Sequence, residues 1–280
     1  MFFLKIRLYL SSDYIVFPIL ITLMSKLAPK DKFLDLSDYG RPFGKWFANL
    51  LKNTRFTPIH VTLLFGLSGL ISIVCILQKQ YLLAGFFIVL KSAIDAADGE
   101  LARLKNTPSY VGRYLDSIFD IVLNFMFLMT ICYVSKTTIW LTILAFIGIQ
   151  LQGTLYNYYY VILRNKSVGG DTTSKVFEYK SPRALPGETQ KAVDILFAIY
   201  TVVYGIFDKI IHALDQDAYK VKTFPNWFMT LLSIYGLGFQ LLLIAIMLPM
   251  NLIEYIIPFF IVYTLFIFVL IAIRKTVFKA

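Results

Sequence analysis

The stretch DAADGELARLKNTPSYVGRYLDSIFD, residues 95–120, sets four aspartates at helical spacing between long apolar runs. Reduced to its fixed positions it reads D-x-x-D-G-x-x-A-R, eight residues, then G-x-x-x-D-x-x-x-D. At 100° per residue, Asp95, Asp98, Gly99, Ala102 and Arg103 fall within roughly 140° of arc on one helix. Gly112, Asp116 and Asp120 fall within about 80° on the next. Two antiparallel neighbours can therefore aim all four carboxylates into one gap, with Glu100 lying off the shared face. Gly99, Ala102 and Gly112 are small enough for backbones or a ligand to approach closely. Carboxylates suit hard, oxygen-seeking cations such as Mg²⁺ or Mn²⁺, and no soft ligand accompanies them. Four carboxylates exceed the charge of one ion, so two metals are expected, an arrangement that typically clamps a phosphoryl group.

The surroundings make this cluster costly. The chain has 280 residues, 58% hydrophobic and 16% charged, with mean hydropathy +0.69. Soluble domains carry about 25% charged residues. Spans of about 20 apolar residues cross a bilayer as helices, and such runs occur near 58–78, 81–105, 110–134, 138–163, 227–248 and 252–273. The expected fold is an all-α integral membrane protein with six transmembrane helices in one domain, residues 57–280. An N-terminal juxtamembrane region, residues 1–56, precedes it. The start MFFLKIRLYLSSDYIVFP lacks a small-residue cleavage site, so no cleavable signal peptide is expected. Acidic residues in or beside a bilayer are rare and usually functional.

The net charge of +10 is unevenly placed. Basic residues gather before the first span (Lys45, Lys52, Arg55), after the fourth (Arg164, Lys166, Lys175) and after the last (Arg274, Lys275, Lys279). The connections after the first and third spans hold only Lys79 and Lys136. Basic residues stay in the cytoplasm, so both termini and the aspartate end of the bundle are expected there. Basic residues at membrane edges suit anionic lipid headgroups and argue against nucleic acid.

Residues 192–214 are apolar enough to span but carry Asp194, Asp208 and Lys209. Counting them as a span would put the basic C-terminus outside, so an interfacial helix is expected within a cytoplasmic connection, residues 165–225. Upstream, RPFGKWFANLLKN (residues 41–53) puts Phe43, Trp46, Phe47, Leu50 and Leu51 on one face, the pattern of a helix lying along a membrane surface. Cys75 and Cys132 read as packing residues, and His60 and His212 are too far apart in sequence to argue for zinc.

The aspartate motif is identified as the signature of the CDP-alcohol phosphotransferase family of phospholipid-synthesis enzymes. The resemblance is tight over residues 95–120 and looser over 57–274. It implies a six-helix, Mg²⁺-dependent homodimer that displaces CMP from a CDP-linked donor with an alcohol hydroxyl. By that likeness Asp95, Asp98, Asp116 and Asp120 bind metal, and Asp120 is also the general base. Gly99, Ala102, Arg103 and Gly112 line the cytidine diphosphate site, joined by Thr57 and Pro58. Many relatives begin the first span T-P-N-x-x-T. Here Thr57, Pro58 and Thr62 fit, but Ile59 stands in place of Asn and His60 follows.

The expected donor is CDP-diacylglycerol with a small polar alcohol as acceptor. The alternative is a CDP-choline or CDP-ethanolamine donor acting on diacylglycerol. Leu115–Asp120 is similar to serine-using relatives and Gly99–Leu104 to inositol-phosphate-using ones, which leaves the acceptor open. Within the connection after the fourth span, Arg164, Lys175 and Arg183 are candidate acceptor contacts, because guanidinium and ammonium groups suit phosphate. A cation- or proton-coupled transporter is the competing class, since intramembrane carboxylates also mark ion paths. Its charges would lie near mid-bilayer on paired repeats. Here they gather at one edge and no second half repeats them.

Overall fold

The computed structural model describes residue 27 and residues 31–166, 178 and 180–278. After a 3₁₀ turn at Leu36–Asp38 come α1 (Arg41–Leu51), α2 (Pro58–Leu77), α3 (Tyr81–Leu104), α4 (Tyr110–Ser135) and α5 (Ile139–Lys166). Then follow α6 (Gln190–Leu214), α7 (Asn226–Leu232), α8 (Leu237–Met247), α9 (Ile253–Thr264) and α10 (Phe266–Val277).

Local chemistry sets the start of α2. Pro58 supplies a helical φ where no backbone donor is needed. The Thr57 hydroxyl accepts from the His60 backbone N–H, and His60 Nδ1 accepts from the Thr57 N–H at 3.0 Å. This is a capping box with histidine in the glutamate's place. His60 is thereby engaged in holding the helix end.

α2 and α3 form an antiparallel hairpin fastened by hydroxyls along its length. Ser72 Oγ donates to the Ala84 carbonyl and Ser68 Oγ to that of Phe87, both at 2.9 Å. α4 runs parallel to α2, which is thinned to glycine where the two meet. A Cβ on Gly66 would stand 2.7 Å from the Phe119 ring, and one on Gly69 2.9 Å from Leu123. α8 closes on α3 in the same way, the Gly85 Cβ position lying 2.5 Å from the Ala245 carbonyl oxygen. One apolar core runs through α2, α3, α4, α5, α8 and α9, built on Phe65, Ile88, Phe127 and Phe260. A buried amide knot ties α8, α5 and α9: Gln240 donates to Gln152 at 2.8 Å, and Gln152 to Thr264 Oγ at 2.9 Å.

Among the described residues five helical stretches are long and apolar enough to cross a membrane: Pro58–Leu77, Tyr110–Ser135, Ile139–Lys166, Gln190–Leu214 and Ile253–Val277. The pair Asn226–Tyr235 and Leu237–Met247, bent by 54° at Gly236, makes a sixth if counted as one. This differs from the expected set at two places. Tyr81–Leu104 falls outside the count because Lys91, Asp95, Asp98, Glu100 and Arg103 crowd its C-terminal half, although it packs along α2. Gln190–Leu214, expected at the interface, enters the count on length and composition.

The contacts of α6 hold both its ends at one end of the bundle. Glu188, just before it, accepts from Ser109 Oγ and the Val111 N–H at the start of α4. His212, in its last turn, meets the Tyr158 hydroxyl at 3.2 Å, near the end of α5. Between them the Tyr204 hydroxyl donates to the Ser117 carbonyl at 2.9 Å.

The expected amphipathic helix is α1. It buries Gly44 and Ala48 against α3 and turns Phe43, Trp46 and Leu50 outward, with Trp46 57% exposed.

Candidate active site

The last three turns of α3 and the first three of α4 bring the motif together. Asp95, Asp98 and Asp116 each offer a carboxylate oxygen within 4.8 Å of the others, the spacing of a metal-binding group. Two contacts position them. Thr62 Oγ, on α2, donates to Asp98 Oδ2 at 2.9 Å. Lys91, 1% exposed, donates from Nζ to Asp95 Oδ2 at 2.9 Å and also to Asp120 Oδ1. Its ammonium stands 4.5 Å from the centroid of the Phe65 ring. Asp120 is thus held beside the three-carboxylate group by a lysine.

The site fits a divalent cation on its own chemistry. Its donors are all hard carboxylate oxygens. Asp116 Oδ1 is buried and has no hydrogen-bond partner among the described residues, a cost that a bound cation would remove.

The carboxylates line a cavity of about 790 Å³, a size common for small-molecule sites. Gly99, Ala102, Arg103, Gly112, Pro58 and Arg164 line it. A Cβ on Gly99 would meet nothing nearer than the Arg103 guanidinium at 3.6 Å. The protein's own packing therefore does not demand glycine there, and the space belongs to the cavity. Arg103 also pairs with Glu100 at 2.9 Å. Thr57 is not among the cavity-lining residues, its hydroxyl being taken by the cap with His60. Arg183 is exposed and likewise away from the cavity, and Lys175 lies outside the described residues.

Several site residues escaped the sequence reading. Arg113 lines the cavity with its guanidinium gripped by Glu178, at 2.6 and 2.5 Å to the two carboxylate oxygens. Glu178 also accepts from the Tyr114 hydroxyl at 2.8 Å. The connection after α5 thus braces the aspartate-bearing turns of α4 through Glu178 and Glu188. Thr62 had a signal, the last position of T-P-x-x-x-T; Glu178 and Glu188 had none.

The turn before α1 also reaches the cavity through Asp35, Ser37, Asp38 and Arg41. Burial pushes the Asp35 carboxyl above the usual carboxylate range, a rise that hydrogen bonds from Ser37 and Tyr156 oppose.

A helical membrane bundle with a hard-cation carboxylate group at one end of its cavity defines a narrow class of proteins. The chain belongs to the CDP-alcohol phosphatidyltransferase family, whose model matches residues 55–249. It is 30% identical over 189 residues to the CDP-diacylglycerol–serine O-phosphatidyltransferase of Saccharomyces cerevisiae, covering 64% of this chain and 66% of that protein. It is 31% identical over 157 residues to the bifunctional IPC transferase and DIPP synthase of Thermococcus kodakarensis, covering 54% of this chain and 34% of that one. The chain therefore spans about a third and just under two thirds of these two relatives' lengths. No solved structure matches it.

Proposed function

We propose that the protein transfers the phosphatidyl group of CDP-diacylglycerol to the hydroxyl of a small polar alcohol, releasing CMP. The observation that carries this reading is the Asp95–Asp98–Asp116 group, with its unpartnered buried Asp116 oxygen, at the wall of a cavity lined by the family motif. The yeast relative's name supports the donor.

Asp95, Asp98 and Asp116 would hold Mg²⁺ or Mn²⁺, two ions by charge count, with Asp120 available as a further ligand. When bound, such ions neutralise the diphosphate and the charge growing on the departing CMP. The protein's own groups do the rest. Gly99, Ala102 and Gly112 leave room for the cytidine diphosphate, and Arg103 stands at its edge. Asp120, held by Lys91, takes the proton of the attacking hydroxyl. The hydroxyl oxygen bonds to the phosphorus carrying the diacylglyceryl group, and the bond from that phosphorus to the CMP oxygen breaks. A phosphodiester, CMP and one proton result.

The basic residues at the motif's end of the bundle support a cytoplasmic site with cytoplasmic termini. The placement of α6 across that end supports its reading as an interfacial helix. The family resemblance supports a homodimer.

The test is CMP release by purified protein with CDP-diacylglycerol and an alcohol mixture. Activity is expected to need Mg²⁺ or Mn²⁺ and to vanish in EDTA, and Asp120→Asn is expected to lose about 10²–10⁴-fold in turnover while keeping nucleotide binding. Full activity in excess EDTA refutes the metal reading. Turnover of CDP-choline or CDP-ethanolamine with diacylglycerol, in place of CDP-diacylglycerol, refutes the donor.

A further inference from the structure

The aspartate motif shares its charge with a lysine that lies outside it. Lys91 stands one helical turn before Asp95 on α3 and is 1% exposed. An ammonium has three donors to place. Lys91 Nζ donates to Asp95 Oδ2 at 2.9 Å and to Asp120 Oδ1, and its remaining side faces the Phe65 ring, 4.5 Å from the centroid. No direction is left for a substrate. Phe65 is fully buried, so the ammonium cannot turn away from the two carboxylates without losing its partners inside the apolar core. Lys91 is thus a fixed positive charge within the carboxylate group. The other cations of the cavity wall are placed differently: Arg41, Arg103 and Arg113 pair with Asp38, Glu100 and Glu178, carboxylates outside the motif.

That charge changes how divalent ions fill the site. Four ionised carboxylates would balance two divalent ions in full. With Lys91 among them the group carries three net negative charges. One divalent ion leaves it still negative, whereas a second would turn it positive, which is costly away from bulk water. A diphosphate brings negative charge of its own and removes that cost. The geometry divides the motif along the same line. Asp95, Asp98 and Asp116 converge within 4.8 Å, while Asp120 is held beside them by Lys91.

We propose that Lys91 makes the two ion positions unequal: one divalent ion is resident on Asp95, Asp98 and Asp116, and a second enters only with the diphosphate of the donor. The proposal rests on the metal reading above. It gives Lys91, a residue the family motif does not contain, the role of ordering ions and nucleotide. Lys91 is a positioning residue, acting through the charge it sets on Asp95 and Asp120.

The experiment counts Mn²⁺ ions bound per full chain in detergent, from the electron paramagnetic resonance signal of free Mn²⁺. Counts are taken with and without CDP, and ions held by CDP alone are subtracted. The wild type is expected to bind one ion without CDP and two at saturating CDP. Lys91→Gln keeps a hydrogen-bond donor beside Asp95 and Asp120 but removes the charge, and is expected to bind two ions without CDP. Lys91→Met is expected to do the same, so that if one variant fails to fold the other decides; the wild-type counts test the proposal even without either. Two ions in the wild type without CDP, or no second ion when CDP is added, overturns the proposal. So does a count of one in folded Lys91→Gln or Lys91→Met, which would leave Lys91 a structural ion pair. No Mn²⁺ bound with or without CDP would refute the metal reading itself.

Discussion

Replacing Thr62 by valine isolates one contact of the carboxylate group. Thr62 is 1% exposed, and its hydroxyl donates to Asp98 at 2.9 Å, with the Pro58 carbonyl a poorer second acceptor at 3.2 Å. Valine keeps the shape and deletes the donor. A hydrogen bond to a charged group contributes about 1.5–3 kcal/mol. Losing it leaves an oxygen of Asp98 buried and unpartnered, in an orientation no longer fixed. At about 1.4 kcal/mol per factor of ten, cation affinity is expected to fall roughly 10- to 150-fold. Mn²⁺ binding to the detergent-solubilised protein, read by electron paramagnetic resonance, measures this directly. The Mg²⁺ dependence of CMP release should shift by a similar factor. Thr62→Ser restores the hydroxyl and is expected to recover most of the affinity. Wild-type Mn²⁺ affinity in Thr62→Val would refute the assignment of Thr62 as the residue that positions Asp98.

Two glycines of α3 should behave oppositely. Gly85→Ala drives a methyl against the Ala245 carbonyl and should lower the melting temperature, whereas Gly99→Ala should leave it unchanged and weaken cytidine-nucleotide binding, since its side faces the cavity. Glu178→Ala strips Arg113 and Tyr114 of a shared partner; a loss of about 1–3 kcal/mol is expected, read as a lower melting temperature in detergent. Asp215, fully buried, accepts from Arg274 Nε and from the Tyr159 hydroxyl, each at 2.5 Å. Asp215→Ala leaves the Arg274 charge buried without it and should cost about 3–5 kcal/mol, read as a lower melting temperature in detergent.

The carboxylate site was legible because its logic is local. Two helical faces at 3.6 residues per turn predict that Asp95 and Asp98 meet Asp116 across a short connection, and they do. The helices were legible for the same reason, as apolar runs of bilayer length. α3 was read as a span from its apolar first half, but its second half is too charged for hydropathy alone to mark it. Hydropathy likewise cannot separate a crossing helix from α6, because length and composition are the same for both. What sequence could not show are contacts between distant positions: the braces from Glu178 and Glu188 and the Asp35–Tyr156 and Leu36–Ser233 bonds. No periodicity in one strand of sequence encodes such pairings. Residues 31–40, just ahead of the amphipathic helix and without a role by family likeness, are therefore where sequence was most silent and the structure informative.

Lys91 has a consequence for how the protein is made. It lies four residues before Asp95, so their pair can form within α3 as soon as that helix exists, before α4 has left the ribosome. α4 then brings Asp120 to a cation already waiting. A nascent hairpin entering the membrane with four uncompensated carboxylates would face a steep cost. With its own ammonium in place the bundle can close without waiting for a divalent ion to balance Asp95 and Asp120. On the metal reading proposed above, two of the four carboxylates are then already partnered when the hairpin closes, before any cation arrives.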